Sequence, residues 1–188
     1  MVTVDFVCPA CDHAAGRIAF DDNVSGACPA CQLELDRGPN NLLLMPRGAF
    51  EPPARLLGRR VEKPKRSKVR HALEGDQLRI WRSFGILTPW VKRYTLSPAG
   101  LQSRTRKGAG SHYSVASMRG FMPMQIIAGF TEEPREATIM TCSALVVRDG
   151  DLIVYQPLYT HAREDAVYFC SLLNEHFERV RHAAAPYR

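Results

Sequence analysis

The chain has 188 residues, of which 45% are hydrophobic and 23% are charged, and its formal net charge is +6. This composition excludes a disordered or collagen-like chain, and the length suits one ordinary domain with a small additional module. No stretch reaches the roughly 20 apolar residues of a membrane-spanning helix, and the N-terminus lacks a secretory pattern. We therefore expect a soluble, cytoplasmic protein without a transmembrane segment.

The charge is unevenly distributed along the chain. Residues 1–40 carry two basic and six acidic side chains, whereas residues 41–75 carry nine basic and three acidic ones. The cationic surface is therefore expected in the middle of the chain and not on its N-terminal part.

Two Cys-Pro-Ala-Cys pairs stand near the N-terminus, separated by sixteen residues. In a chain without a secretory signal this spacing favours a metal site over two disulfide bonds or a redox pair. Four thiolates complete the tetrahedral coordination of one zinc ion at about 2.3 Å and leave no position open for a substrate. We therefore expect residues 1–36 to bind one structural Zn²⁺ ion. The predicted ligands are Cys8, Cys11, Cys28 and Cys31.

The N-terminal module resembles the zinc-ribbon family, in which a strand, Cys-Pro-x-Cys, a hairpin and a second Cys-Pro-x-Cys follow one another. The matching segments are Phe6–Cys11 and Gly26–Cys31. Ribbon turns usually place glycine after the second cysteine, where a positive φ is required. This chain has Asp12 and Gln32 there, and the second turn is the less favourable one because Asp tolerates a positive φ better than Gln.

Residues 37–74 are predicted to be a basic linker. The segment contains five prolines and few periodic apolar positions, which is typical of linkers. Its clustered cations, together with two arginines of the following domain, are predicted to bind an anionic partner. These side chains are Arg59, Arg60, Lys63, Lys65, Arg66, Arg93 and Arg106.

Residues 75–182 are predicted to form an α+β domain of six or seven antiparallel strands and one C-terminal helix, followed by a tail at 183–188. Alternating apolar residues between turn signals predict four early strands. They are placed at Gln77–Ser83, Val91–Ser97, Leu101–Arg106 and near Tyr113–Met118. The clearest hairpin joins residues 138–148 to residues 151–158 through Asp149-Gly150, which suits a type I′ turn.

A terminal amphipathic helix is predicted after this hairpin. Thr160 is the expected N-cap, and acidic residues follow in the first turn. Apolar residues then recur at three- and four-residue spacing. They are Ala166, Cys170, Leu173, Phe177 and Val180.

The segment Gly85–Leu96, followed by Leu101, resembles the opening of a pleckstrin-homology domain, where Gly-x-Leu precedes Trp-x-x-Arg-Tyr. The resemblance implies a bent β-barrel or sandwich that the terminal helix plugs at one end. It also implies that basic strand and loop residues could meet inositol phosphates. Those positions are Arg82, Lys92, Arg93, Arg104, Arg106 and Lys107. The alternative is that they are solvated outward residues, alternating with Ile80, Trp81, Tyr94 and Leu101.

No enzyme motif, such as His-Glu-x-x-His, Gly-x-Ser-x-Gly or a phosphate-binding glycine loop, occurs in the chain. The sequence therefore predicts a non-enzymatic adaptor that joins a zinc ribbon to a pleckstrin-homology-like binding domain, with a protein partner within a larger assembly. The alternative is sequence-nonspecific nucleic-acid binding through the basic linker. Anionic lipid is a further candidate partner.

Overall fold

The computed structural model describes residues 2–11, 13–20, 25–36, 45–46, 61–82, 92–105, 108–130, 137–150 and 152–184. Within these ranges the chain forms thirteen strands and one C-terminal helix. The strands pair into four antiparallel sheets, and these do not close into a barrel. The fold is therefore mostly β with one terminal helix, in the order that the sequence predicted.

The N-terminal module consists of two small sheets. Strand β1 (Val2–Val7) pairs with β2 (Ala14–Phe20), and β3 (Ser25–Ala27), β4 (Glu34–Asp36) and β5 (Met45–Pro46) form a three-stranded sheet. Each Cys-Pro-Ala-Cys turn connects two paired strands. The strands expected around the two cysteine turns are thus present, but the hairpin expected between the cysteine pairs is not found in the described residues, because β2 and β3 belong to different sheets.

The second region begins with a five-stranded meander in the order β10-β9-β8-β7-β6. Its strands are β6 (Val69–Glu74), β7 (Gln77–Arg82), β8 (Arg93–Ser97), β9 (Gly100–Thr105) and β10 (Gly108–Tyr113). Strand β6 lies inside the segment predicted as a linker, so the sheet begins before the expected domain start at residue 75. A tight turn with Gly75 at φ 58° joins β6 to β7.

A second sheet contains β11 (Met118–Phe130), β12 (Ala137–Asp149) and β13 (Leu152–His161). The strand expected near Tyr113–Met118 is wrong, because the Ser117 N–H donates to the Ser114 carbonyl at 3.2 Å and closes a turn there. The β12–β13 hairpin is confirmed with a shift of one residue. Asp149 pairs with Leu152 within the ladder, so the turn begins at Gly150, which has a φ of 58°.

Helix α1 (Arg163–Ala184) ends the described chain. Thr160 is not its N-cap, since it pairs with Cys142 as part of β13, and Ala166 N–H donates to the Ala162 carbonyl at 3.0 Å. All five predicted apolar helix positions are buried. No helix in the described ranges combines the length and the apolar character needed to cross a membrane.

One apolar core joins the five-stranded sheet, β11, β12 and α1. Its centre is aromatic: the buried Tyr94 ring meets Tyr159 and Phe169 edge to face, with centroids 5.2 and 6.3 Å away. The Tyr94 hydroxyl donates to the Leu158 carbonyl at 2.9 Å. The strands of the second region number eight in the described chain (β6–β13) rather than six or seven, because β6, β10 and the long β11 were not predicted and the strand near Tyr113–Met118 is absent.

Candidate metal centre

The four predicted ligands converge at the tips of the two N-terminal hairpins. Their sulfur atoms all lie within 4.8 Å of one another. Cys8 and Cys28 are buried, Cys11 is half-buried and Cys31 is exposed. The cluster therefore has one side toward the interior of the module and one side toward solvent.

The sulfur positions fit a single tetrahedral ion. The Sγ atoms of Cys8 and Cys31 are 3.8 Å apart, and those of Cys11 and Cys28 are 3.6 Å apart. Four sulfurs at about 2.3 Å from a central zinc would be about 3.8 Å from each other. A disulfide bond requires about 2.05 Å, and all six cysteines are free thiols. These residues could hold a metal ion, and a set of four thiolates selects soft or borderline metals such as zinc.

The two turns have the same hydrogen-bond pattern. The N–H of Cys8 donates to the His13 carbonyl at 3.0 Å, and the N–H of Cys28 donates to the Leu33 carbonyl at 2.9 Å. Each of these cysteines stands in the first position of its pair, and each donates to the residue five positions further on. The duplicated sequence thus folds into a duplicated turn, which points two pairs of sulfurs at one another.

The pKa values of the two buried thiols are shifted in opposite directions. Burial raises the pKa of the Cys8 thiol to about 12. Burial also opposes ionisation of Cys28, but hydrogen bonds from the backbone N–H groups of Cys31 and Ala30 help to lower its pKa to about 7. A bound cation would favour the thiolate form of both sulfurs.

Gln32 takes the place of the usual glycine after the second pair. It is the one non-glycine residue of the described chain with a positive φ, at 59°. Its N–H donates to the Cys28 carbonyl at 2.8 Å, and its side-chain Nε2 donates to the Pro29 carbonyl at 3.1 Å. The positive φ expected after the second pair is present, and the two hydrogen bonds offset part of its backbone cost. Asp12 lies outside the described residues.

The metal centre is connected to the second region through β1. The N–H of Val7, the residue before Cys8, donates to Oε1 of Gln125 on β11 at 2.8 Å. Strand β1 also contacts β12. Sequence reasoning missed Gln125, because β11 was not predicted and no local pattern marks a single glutamine as a docking residue.

The predicted anion-binding side chains do not form one cluster that can be described. Arg59, Arg60 and Arg106 lie outside the described residues. Lys63, Lys65 and Arg66 are exposed around a turn in which Ser67 N–H donates to the Pro64 carbonyl at 2.9 Å. Arg93 is exposed on β8, with its guanidinium 5.9 Å from the centre of the Trp81 ring. Just before β6, the backbone N–H of Lys68 donates to Asp165 Oδ2 on α1 at 3.3 Å, so this end of the predicted linker contacts the helix.

Fold and site together define a mostly β protein that carries a cluster of four cysteines able to hold a metal ion. Comparison with protein-family models, with curated proteins and with solved structures gave no match. The function must therefore be argued from this chain's own residues.

Proposed function

We propose that the protein is a non-enzymatic, zinc-binding interaction protein, in which an N-terminal ribbon folded around a structural zinc ion is joined to a β-rich binding domain. The observation that carries this proposal is the convergence of four thiol sulfurs within 4.8 Å. Four sulfur ligands would saturate a tetrahedral zinc ion, so the ion would stabilise the fold and have no place for a substrate. The zinc would be held by Cys8, Cys11, Cys28 and Cys31.

A pleckstrin-homology-like character of the second region forms part of the proposal. Support comes from the order of elements: a five-stranded antiparallel sheet, a three-stranded antiparallel sheet and a terminal helix. Further support comes from the helix residues expected to plug the core, since Phe169, Leu173 and Phe177 are fully buried in it. A domain of this kind would present its loops and sheet faces to a partner, while the ribbon would supply a separate contact surface.

A protein partner fits the exposed side of the ribbon. The second cysteine turn is solvent-exposed from Pro29 to Gln32, so a partner could contact it without displacing the buried sulfurs. Because the metal would fix the shape of this turn, zinc loss should abolish such a contact. The exposed lysines at positions 63 and 65 support the second candidate, nucleic-acid binding through the linker.

The metal half of the proposal is tested by the zinc content of protein purified without added metal. Native mass spectrometry should find one zinc per chain, and Cys8→Ser should remove it. Cys142→Ala is the matched control, because Cys142 is a buried thiol of β12 outside the cluster, and it should retain one zinc. Folded protein that is reproducibly free of metal would contradict the proposal.

The interaction half is tested by affinity capture from the native cell at high salt. A discrete protein captured by the wild-type chain and lost with Cys8→Ser would support a ribbon contact. Capture that disappears with moderate salt and with nuclease treatment would favour the linker and nucleic acid instead.

A further inference from the structure

One face of the five-stranded sheet carries a row of three arginines and one tryptophan. The ladder places Arg70 opposite Trp81, Trp81 opposite Arg93, and Arg93 opposite Arg104. Directly opposite residues of an antiparallel sheet project from the same face. These four residues therefore form one continuous line across β6, β7, β8 and β9, called here the arginine–tryptophan row.

Burial confirms that this face is the outer one. The chain neighbours Val69, Ile80 and Tyr94 are buried in the core that contains α1. The three arginines of the row are exposed, and Trp81 is half-buried. Trp81 was expected to face inward and to alternate with outward-facing arginines, and this expectation is wrong. It lies on the arginine face, and Arg93 is 5.9 Å from the centre of its ring.

The row is unusual in its charge. Arg93 and Arg104 are direct cross-strand partners, and like charges in that position destabilise a sheet. Elsewhere on the same face the sheet does neutralise an arginine, because Arg79 forms an ion pair with Glu74 at 3.1 Å. Among the four row positions there is no carboxylate. An arrangement that costs stability and gathers positive charge around a half-buried, outward-facing tryptophan ring points to a ligand.

We infer that the arginine–tryptophan row binds single-stranded nucleic acid, with the arginines on phosphates and Trp81 stacked on a base. Neighbouring strands are about 4.8 Å apart, so the row spans about 14 Å. Open β-sheets that present aromatic rings bind two or three bases over such a surface. Stacking on an aromatic side chain beside arginines is the recognition chemistry of single strands.

Other anionic partners fit the row less well. A lipid headgroup needs donors that converge on a few phosphates, whereas these arginines are spread along a line. An acidic peptide would match the charge but would leave Trp81 without a planar partner.

The test uses full-length protein with its metal and a fluorescein-labelled 15-nucleotide oligo(dT), with fluorescence anisotropy measured over a range of salt concentrations. The row variant Arg70→Gln/Arg93→Gln/Arg104→Gln should weaken binding by about tenfold or more and lower the salt slope by about 2, at about 0.7 per phosphate contact of a single strand. Trp81→Leu should weaken binding by about fivefold or more with little change in slope.

A charge-matched control separates the row from general attraction. Arg148→Gln/Arg179→Gln/Arg181→Gln removes the same number of charges from exposed arginines of β12 and α1, outside the five-stranded sheet, and it should weaken binding by less than about threefold. In a Trp90→Phe background, Trp81 is the only tryptophan, and the oligonucleotide should quench its fluorescence.

Four outcomes would overturn the inference. Two concern the variants: an equal loss of affinity in the row and control variants, or a full loss of binding when only Lys63, Lys65 and Arg66 are substituted. Two concern other ligands: stronger binding to a 15-base-pair duplex than to oligo(dT), or binding to phosphatidylserine-containing vesicles without binding to oligo(dT). Circular dichroism of each variant shows whether the sheet is retained. If Trp81→Leu fails to fold, the quenching measurement still decides the stacking step.

Discussion

The ribbon and the sheet-and-helix region are stabilised by different means. In the described part of the ribbon, the buried apolar side chains besides its cysteines are Phe6, Pro9 and Leu35, and β3 and β4 have three residues each. The second region buries a large core contributed by both of its sheets and α1. A module of this size buries too little apolar surface to fold by itself. The ribbon should therefore depend on its metal, and the second region should not.

The largest expected effect comes from removing one sulfur. Cys28→Ser should eliminate zinc binding and unfold the ribbon, because the binding free energy of a structural zinc, about 10–16 kcal/mol, is also folding free energy. The domain should keep its cooperative thermal transition, measured by near-ultraviolet circular dichroism. Simultaneous loss of both regions would show that the ribbon completes the domain's core.

The reverse experiment removes a core ring from the domain. Phe177 is fully buried and meets the Phe121 ring edge to face, with centroids 6.3 Å apart. Phe177→Ala should lower the free energy of unfolding of the domain by about 3–5 kcal/mol, as measured by urea denaturation. The zinc content of the folded protein should stay at one per chain. A loss of zinc in parallel with stability would contradict the independence of the two regions.

A smaller loss of stability is expected from breaking the contact between the ribbon and the second region. Gln125→Leu removes the acceptor of the half-buried Val7 N–H, and the loss of this hydrogen bond should cost about 1 kcal/mol. We expect faster amide exchange in β1 with unchanged zinc stoichiometry. Gln102→Leu is the control, since Gln102 is exposed on β9. Equal exchange in wild type and Gln125→Leu would mean that the ribbon is held by other contacts.

The smallest expected effect is a gain in the stability of the ribbon. Gln32→Gly relieves the positive φ of 59° but removes the hydrogen bond to Pro29, so the net stabilisation should be about 0.5 kcal/mol or less. A competition titration with a zinc chelator would detect it as slightly tighter metal retention. Weaker retention would show that the side-chain hydrogen bond outweighs the backbone strain.

The features that were predictable from sequence are local ones. The cysteine spacing, the helical periodicity from Ala166 to Val180 and the Gly150 turn each depend on residues close together in the chain. Strand β11 was missed because it is a long, mostly buried run without alternation, and it contains Pro123. Strand β6 was missed because the Gly75-Asp76 turn was taken as a domain boundary, although Gly-Asp between two strands is a hairpin signal.

The two candidate sites likewise differ in whether residues close together in the chain encode them. The four sulfurs were predictable because two short motifs contain them all. The arginine–tryptophan row was not, since cross-strand register brings together residues from four strands and depends on which face each strand buries. The contact of Val7 with Gln125 joins residues 118 positions apart, and no local pattern encodes it.

Amide hydrogen exchange with and without a zinc chelator tests the central claim most directly. The account predicts that chelation abolishes protection at the Cys8 and Cys28 amides, which donate to His13 and Leu33, while β7, β8, β12 and α1 keep theirs. Unchanged protection in the ribbon, or its loss throughout the chain, would contradict a metal-dependent ribbon joined to a metal-independent domain.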